Sequence, residues 1–299
     1  MFYRDYSHWI REQFPFRVQK ISVDAGFSCP NRDGHLSSVG CSFCNNKTFS
    51  PSYCDQGKSI TLQLEEGKAF FAKKYPEMKY LAYFQAYSNT YGPLEELKRK
   101  YEEALAVDDV VGLVIGTRPD CVSDEVLEYL QELNQRTFLI VEYGIESTND
   151  DTLSRINRGH TFECSRKAIT KAHQLGLITC GHIILGLPGE DEEEMLRQAS
   201  TISQLPLDIL KLHQLQIIKG TPLAKEYEER PFHVFTPEEY ANLVIRYVSQ
   251  LRNDLVLERF VSQSPPNMVL APKWGLKNHE FTDLLNKLIR TMGYDHSKE

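Results

Sequence analysis

The sequence alternates between short apolar runs and amphipathic segments, and this alternation constrains the fold more than any other feature. The apolar runs are strand-sized and lie at 19–25, 79–85, 110–116, 138–144, 177–185 and 209–218. Helical patterns lie between them, at about 59–75, 93–106, 123–135, 163–175 and 191–204. Strands that alternate with helices of this length predict βαβ units and a parallel sheet.

Local capping and turn residues support several of these elements. Ser123 is an N-cap residue before an apolar helical face, and Gly176 is typical of a left-handed helix end. Thr236 begins a capping box, and Phe235 before it is placed to pack on Tyr240. These signals fix the start or end of three predicted helices.

The number of β/α units in the sequence decides which architecture we predict. Six β/α units in about 200 residues are too few for a closed eight-fold barrel, so we predict an α/β protein with a partial (β/α)6 barrel similar to a TIM barrel. Chemistry is then expected at the C-terminal ends of the strands. We predict this core over 1–250 and a C-terminal extension of loop plus helix over 251–299, with the helix at about 279–292.

Charge and hydropathy exclude several classes of protein. The formal net charge is −7, so the chain is not a basic protein that coats nucleic acid without sequence preference. No apolar stretch approaches the roughly 20 residues that a membrane span needs, and the N-terminus lacks the pattern of a secretory signal. Seven cysteines, an odd number, argue against a disulfide framework. We expect a cytoplasmic protein that does not enter membranes.

Four of the seven cysteines fall in one short segment after the first predicted strand. Cys29, Cys41 and Cys44 have the spacing C-x11-C-x2-C, and Cys54 follows. Cysteines two residues apart can turn toward one soft metal centre, and the glycines between them let the chain wrap closely around it. We call residues 26–54 the cysteine loop.

Three metal sites are compatible with this spacing. A four-cysteine zinc site would recruit Cys54, and an iron–sulfur cluster held entirely by protein would also need four cysteines. A cluster held by three cysteines leaves one iron open for a substrate or cofactor. The first two predict a structural or electron-carrying module, whereas the third predicts catalysis.

Polar and glycine motifs at the later strand ends complete a resemblance to a known family. These motifs lie at 85–90, 142–147 and 184–190, with Lys211, His213 and Gln214 on the sixth strand. With the cysteine loop they resemble the radical S-adenosylmethionine (radical SAM) superfamily over roughly residues 15–225. The Cys-Pro-Asn-Arg-Asp-Gly sequence at 29–34 and the long first spacing resemble the YtqA/YhcC-like family, which is related to the radical domain of the Elongator catalytic subunit.

The chain departs from the superfamily pattern at two points. The usual spacing is C-x3-C-x2-C, and the longer first gap is a feature of this subgroup. The common Gly-Gly-Glu motif after the second strand is absent, and residues 85–90 stand in its place.

The resemblance implies the cofactors. Cys29, Cys41 and Cys44 would hold a [4Fe–4S] cluster whose fourth iron chelates S-adenosylmethionine (SAM). One-electron cleavage of SAM would give a 5′-deoxyadenosyl radical that abstracts hydrogen from the substrate. A low-potential donor such as flavodoxin or ferredoxin would supply the electron.

The resemblance also implies roles for the strand-end residues. It implies cofactor contacts for Gln85, Asn89, Glu142, Glu146, Arg155, Arg158, Gly186 and Gly189, and substrate contacts for Lys211, His213 and Gln214. One arginine would pair with the methionyl carboxylate, and the glycines would let the backbone approach the adenine. Strand alternation places Lys211 and His213 on one face and Gln214 on the other. Each residue also has a purely structural interpretation, as a turn, a solvated strand end or a buried polar group, and none is singled out as a catalytic acid or base.

The family resemblance points to transfer RNA as the substrate. It implies remodelling of the carbon-5 side chain of wobble uridine, from carboxymethylaminomethyl to aminomethyl. Two alternatives stay open: a radical SAM enzyme for a small metabolite or peptide, and a non-catalytic zinc-ribbon binding module. Iron content and SAM cleavage would distinguish the zinc-ribbon module from the two radical SAM enzymes.

Overall fold

A computed structural model of the chain describes residues 2–48, 50–72 and 77–294. Its strands are β1 (Arg4–Asp5), β2 (Arg17–Val23), β3 (Met78–Phe84), β4 (Val110–Thr117), β5 (Phe138–Glu146), β6 (Ile178–Leu185), β7 (Ile209–Gln214), β8 (Ile217–Ile218), β9 (Val256–Arg259) and β10 (Val269–Ala271). Its helices are α1 (Tyr6–Gln13), α2 (Ile60–Ala72), α3 (Leu94–Leu105), α4 (Asp124–Asn134), α5 (Asp150–Arg155), α6 (Phe162–Gln174), α7 (Glu192–Ser203), α8 (Pro222–Glu229), α9 (Pro237–Ser249) and α10 (Asn278–Thr291).

One sheet organises the molecule. It has eight parallel strands in the order β1-β9-β7-β6-β5-β4-β3-β2, and β10 pairs with β8 in a separate antiparallel ribbon. The sheet is a curled half-barrel with helices packed outside it, so the predicted partial α/β barrel is confirmed. The six predicted strands form β2 to β7, and two further short strands, β9 and β1, extend the sheet at one edge.

The capping and turn predictions are also confirmed. Ser123 accepts the Val126 N–H at the start of α4, and Gly176 has a φ of 73° directly after α6. Thr236 and its capping box begin α9. The predicted helix 59–75 corresponds to α2, and residues 73–75 lie outside the described residues. Short-range side-chain chemistry therefore places most of these boundaries.

The sheet curls until strands near its opposite edges come into contact. Lys20 on β2 lies 2.6 Å from Glu258 on β9, although these strands are six places apart in the strand order. Below this contact, Trp9 and Ile10 of α1 pack on inward-facing apolar residues of the sheet. The barrel interior is thus apolar at one end and charged above it.

Residues after 250 pack closely against the core. Trp274 stacks on Phe281 of α10, and Tyr240 of α9 contacts both rings. β9 pairs with β7, so the central sheet continues past the predicted division at residue 250, and the predicted loop-plus-helix extension also contains β10. The division itself stays a prediction. In the described ranges no helix is long and apolar enough to cross a membrane.

Candidate active site

A cavity opens at the C-terminal ends of the strands, where a barrel of this kind collects its functional side chains. The cysteine loop forms one wall, and the ends of β3 to β7 and β9 form the rest. Its lining includes Cys29, Cys41, Cys44, Gln85, Arg118, Glu142, Glu146, Arg158, His182, His213, Gln214 and Arg259. The structure therefore brings nine of the predicted site residues (all except Asn89, Arg155, Gly186, Gly189 and Lys211) into one space.

The two closely spaced cysteines of the loop have different surroundings, and the donors around Cys41 suit a thiolate. Cys41 is buried, and its Sγ lies 3.5 Å from both Asn31 Nδ2 and Arg158 Nη1, which donate to it. Burial and the neighbouring Cys41 raise the pKa of the Cys44 thiol to about 11. Binding of a cluster would therefore displace a proton from Cys44, as metals do when they take thiolate ligands.

The cysteine loop is held against the segment that contains Asn157. The Asn157 side chain donates to the Gly40 carbonyl at 2.7 Å and to the Ser37 hydroxyl at 3.2 Å. The Ser42 N–H donates to the Ile156 carbonyl at 2.9 Å. Asn157 adopts a φ of 54°, a left-handed conformation that asparagine tolerates better than most residues. These contacts position a long loop that has little regular structure of its own.

Arg158 joins the loop to the end of β5. Its Nη2 donates to the Gly144 carbonyl and lies 3.6 Å from Glu146 Oε1. A Cβ at Gly144 would come within 2.5 Å of the Glu146 carboxylate and 2.7 Å of Arg158 Nη2. Glycine at 144 is therefore required for this ion pair to sit close to the strand.

Arg118, at the end of β4, is a second buried cation in the wall. It is 3% exposed and forms a two-pronged ion pair with Asp120, while its Nη2 also donates to the Arg158 carbonyl at 2.8 Å. Its Nη1 and the Ser88 hydroxyl have no hydrogen-bond partner within the described ranges. Gln85 accepts from the Ser22 hydroxyl at 3.0 Å. Buried polar atoms left unpaired beside a cavity fit a polar ligand, because desolvation without a partner is costly.

Glu142 lies at the floor of the cavity with its carboxylate fully engaged. Oε1 accepts from Lys211 at 2.7 Å and Lys20 at 3.1 Å, and Oε2 accepts from Tyr83 at 2.7 Å and bonds His182 at 3.0 Å. Burial disfavours the carboxylate, but Lys20, Lys211 and His182 outweigh it and hold the Glu142 pKa well below its usual value. A carboxylate has about four acceptor positions, so Glu142 has none left for a cofactor.

Glu258 completes this floor network. It lies 2.6 Å from Lys20 and 3.3 Å from Lys211, so two lysines and two glutamates balance one another. Neither lysine is free to bind an anionic ligand. Lys211 is 1% exposed and lies beneath the cavity lining rather than on it.

Two histidines stand above this network. The rings of His182 and His213 are 5.3 Å apart, and His213 Nδ1 lies 2.6 Å from the Ser262 hydroxyl. Gln214 lines the cavity as well and bonds the Ser262 backbone in both directions. Lys211 and His213 share the inner face of β7 as predicted, whereas Gln214, the last residue of the strand, also lines the cavity instead of lying on the other face.

Several predicted site residues have other surroundings. Asn89 is buried and donates to the carbonyls of Phe84 and Gly116, so it joins the ends of β3 and β4. Arg155 is about half exposed and pairs with Glu226 at 2.9 Å. Neither residue belongs to the cavity lining.

The glycine turn after β6 and the fourth loop cysteine also lie outside the lining. Gly186 and Gly189 have φ values of 93° and 97°, as a tight strand-to-helix turn requires. Cys54 donates to the Ser22 carbonyl at 2.8 Å, and burial raises its pKa to about 12. Cys54 therefore has a structural partner.

A second group of metal-ligating side chains lies at the floor of the cavity. Within the described part of the chain, one trio brings metal-ligating atoms within 4.8 Å of one another, namely Glu142, Cys180 and His182. The three loop cysteines line one wall of the cavity and are not among these residues. The Glu142 trio is not a vacant metal site, since the Glu142 carboxylate is already saturated.

Sequence reasoning missed Tyr83, Arg118, His182 and Arg259. Arg118 follows Thr117 at the end of a predicted strand, which is the position where a barrel site collects side chains. Tyr83 and His182 lie inside apolar runs, and their inward direction depends on strand phase. Arg259 lies on a strand of four residues that carried no periodic signal.

Comparison with known proteins is consistent with this geometry. Residues 29–200 match the radical SAM superfamily, and residues 207–290 match the Radical_SAM C-terminal domain. YtqA of Bacillus subtilis, an uncharacterized protein, is 36% identical over 97% of this chain and 90% of its own length. YhcC of Escherichia coli is 36% identical over 86% of this chain and 82% of its own length.

More distant relatives share part of the chain. A tRNA uridine(34) acetyltransferase of Methanocaldococcus infernus is 26% identical over 67% of this chain and 38% of its own length. The solved structure of Elp3 from M. infernus, with its N-terminus deleted, has a TM-score of 0.70 at 18% identity. That match covers 92% of this chain and 63% of Elp3, and it supports the fold alone.

The match over residues 29–200 and the near full-length relatives at 36% identity establish the family. Members of this superfamily use a [4Fe–4S] cluster and SAM. The chain belongs to the radical SAM superfamily, within the group that contains YtqA and YhcC.

Proposed function

We propose that this radical SAM enzyme acts on transfer RNA and converts the carboxymethylaminomethyl group at carbon 5 of wobble uridine to aminomethyl. The carrying observation is a cavity in which the loop thiols and Arg118 Nη1, which has no hydrogen-bond partner among the described residues, face a polar floor. It combines a place for the cofactors with space for a polar substrate group.

The residues on the wall would hold the cofactors. Cys29, Cys41 and Cys44 would bind the cluster, and Arg158 would offset the charge on the Cys41 sulfur. Arg118 Nη1 is the donor we assign to the methionyl carboxylate, since guanidinium pairs well with carboxylate. When bound, the cluster and SAM supply hydrogen-atom abstraction from carbon, and the protein positions the reacting groups and excludes water.

The known relatives support tRNA as the substrate. The archaeal relative is named as an acetyltransferase for tRNA uridine 34, and Elongator complex protein 3 of Schizosaccharomyces pombe is 28% identical over 61% of this chain. Both matches cover only part of those longer proteins. We infer that this chain shares with these two relatives both the radical domain and a wobble-base substrate.

The chemistry of the side chain fits hydrogen abstraction. Its methylene lies between a nitrogen and a carboxylate, so loss of a hydrogen atom leaves a stabilised carbon radical. Loss of one electron to a carrier protein and one proton then gives an imine. Water hydrolyses the imine to the aminomethyl group and glyoxylate. We expect this reaction in the cytoplasm, with flavodoxin or ferredoxin as the electron donor.

Two purified variants test the cluster assignment. After anaerobic reconstitution, Cys41→Ala should lose bound iron and SAM cleavage, whereas Cys54→Ser should keep both because its sulfur only donates to a backbone carbonyl. Retained iron and activity in Cys41→Ala would overturn the assignment. A colourless protein with zinc on all four loop cysteines would support the zinc-ribbon alternative instead.

Nucleoside analysis tests the substrate. Transfer RNA from a strain that lacks the gene should accumulate 5-carboxymethylaminomethyluridine and lack the aminomethyl form, and the purified enzyme should restore it. An unchanged nucleoside profile, together with SAM cleavage by the purified enzyme, would favour a small metabolite or peptide as the substrate.

A further inference from the structure

One cation in the cavity has neither a hydrogen bond nor an ion pair within the described part of the chain. Arg259, the last residue of β9, is half-buried and lines the cavity, and the described chain offers its guanidinium no hydrogen bond or ion pair. Lys20 and Lys211 are paired with two glutamates. Arg118 is paired with Asp120 and Arg158 with Glu146, and Arg32 donates to the Cys44 carbonyl. A partly desolvated guanidinium without a partner is costly, and an anionic ligand would offset that cost.

The backbone aims Arg259 at the cavity. β9 pairs with β7 through Leu257 opposite Leu210 and Arg259 opposite Lys211, so Glu258 is an extra residue and forms a bulge. Regular alternation would send Glu258 and Arg259 to opposite faces of the sheet, whereas here both point inward. Bulges often redirect a side chain in this way beside active sites.

Arg259 lies near His213, and the charges of the floor network beside it balance one another. Burial, His182 and Arg259 together hold the pKa of His213 well below its usual value, so His213 is uncharged near neutral pH. The chain after Arg259 is held in place by Gln214, which bonds the Ser262 backbone at 2.6 and 3.1 Å. Arg259 is therefore a positioned cation beside hydrogen-bonding neutral groups, as a receptor for an oxyanion requires.

We propose that Arg259 binds the carboxylate of the substrate side chain and thereby selects the carboxymethyl form. This inference rests on the proposed function. Guanidinium and carboxylate make two parallel hydrogen bonds, which fixes the direction of the adjoining methylene as well as the charge. Arg118 lies on the wall beside the loop cysteines, so the two arginines serve different anions.

A pair of oligonucleotides tests the proposal without catalysis. Anticodon stem-loops carrying 5-carboxymethylaminomethyluridine, or the same base with its carboxylate converted to an amide, are titrated by fluorescence anisotropy against enzyme loaded with cluster and SAM. The wild type should bind the carboxylate form about tenfold or more tightly, and Arg259→Gln should bind both alike. Arg136→Gln, which removes an exposed arginine paired with Glu102, should behave as the wild type.

Three other outcomes of this titration would decide between the Arg259 proposal and the proposed function. Equal weakening of both oligonucleotides in Arg259→Gln would assign Arg259 to a backbone phosphate and overturn the proposal. Equal binding of both by the wild type would also overturn it, and turnover of the carboxylate form would then still uphold the proposed function. Clear discrimination without turnover would support the carboxylate site while the proposed reaction fails.

Discussion

Glu142 shows how strongly one buried side chain can organise its surroundings. Its carboxylate is 0% exposed and takes four donors from four different strands. Removing one member of a buried charged network leaves the others without compensation, which costs more than the network contributes when intact. Its role is therefore to hold the strands in register beneath the cavity.

The first prediction concerns this carboxylate. Glu142→Gln should lower the free energy of unfolding near neutral pH by about 3–5 kcal/mol, because Lys20 and Lys211 then share Glu258 alone. The Glu142 pKa is depressed in the folded state, so its stabilisation is present above the unfolded pKa of about 4.3 and is lost as pH falls. Urea unfolding should therefore show a gap between the two proteins that narrows in acid.

A surface variant controls for the loss of a charge. Glu95, which is 85% exposed and pairs with Lys98, should tolerate change to glutamine with no measurable loss of stability. Equal stability of the wild type and Glu142→Gln at neutral pH would contradict the network described here.

The second prediction concerns Gly144. In Gly144→Ala the new methyl group would lie 2.5 Å from Glu146 Oε1 and 2.7 Å from Arg158 Nη2, so the ion pair must move. SAM cleavage should fall at least about tenfold, because misplacement of positioning groups is costly. Gly92→Ala is the matched control, since its methyl group meets neighbours no closer than 3.7 Å. Full SAM cleavage in Gly144→Ala would show that the pair does not position the site.

At the scale of single residues, the sequence predicts which side chains carry chemistry better than it predicts which way those side chains point. It identifies Cys29, Cys41 and Cys44 by their spacing, and the structure places all three on the cavity wall. It treats Arg155 and Arg158 alike, although the first is exposed and the second is buried against Cys41. Burial of this kind depends on contacts between residues over a hundred positions apart, which a local pattern does not contain.

The cysteine loop is the element whose conformation depends most on the rest of the fold. Within the described part of the loop, one short 3-10 turn, Asn46–Thr48, is the regular structure. Asn157 and its neighbours supply hydrogen bonds that hold it. The sequence predicts the ligands of this element, whereas the contacts that fix its path come from a segment more than a hundred residues later.

The third prediction concerns this contact. Asn157→Ala removes the bonds to Gly40 and Ser37 and places alanine in a left-handed conformation, so the loop should open more often. Amide exchange across 29–44 should accelerate about tenfold, as expected for loss of about 1.4 kcal/mol of local stability. Asn157→Gly keeps the backbone conformation and separates the two effects. Unchanged exchange in both variants would show that other contacts hold the loop.

The longer elements follow from local sequence, and the short ones do not. β2 to β7 and the helices between them carry clear periodic patterns, and their caps lie within the chain segment itself. β1 has two residues and β9 has four, two of them charged, so neither resembles a strand on its own. β9 becomes a strand because the edge of β7 offers unpaired backbone groups and the floor network offers partners for Glu258, and β1 in turn pairs with β9.

At the scale of the whole molecule, the charged floor closes the half-barrel. Lys20 near the start of the sheet and Glu258 near its far edge are 238 residues apart in sequence and 2.6 Å apart in space. Both side chains are largely buried, so their attraction is screened less than that of a surface pair. The same contact holds Arg259, the neighbour of Glu258, in place beside the cavity.

The last prediction measures that closure by a double-mutant cycle. Lys20→Met and Glu258→Gln should each destabilise the protein, and the double variant should lose less than the sum, with a coupling energy of about 1.5–3 kcal/mol. Lys79 and Asp109, each more than 40% exposed and also 2.6 Å apart, form the matched surface pair and should couple by less than about 1 kcal/mol. Similar coupling in the two cycles, measured by urea unfolding, would mean that the two sides of the sheet are held together by apolar packing. Greater coupling at the floor would mean that the charges which close the barrel also fix β9, the strand that carries Arg259. Fold and specificity would then depend on the same contact.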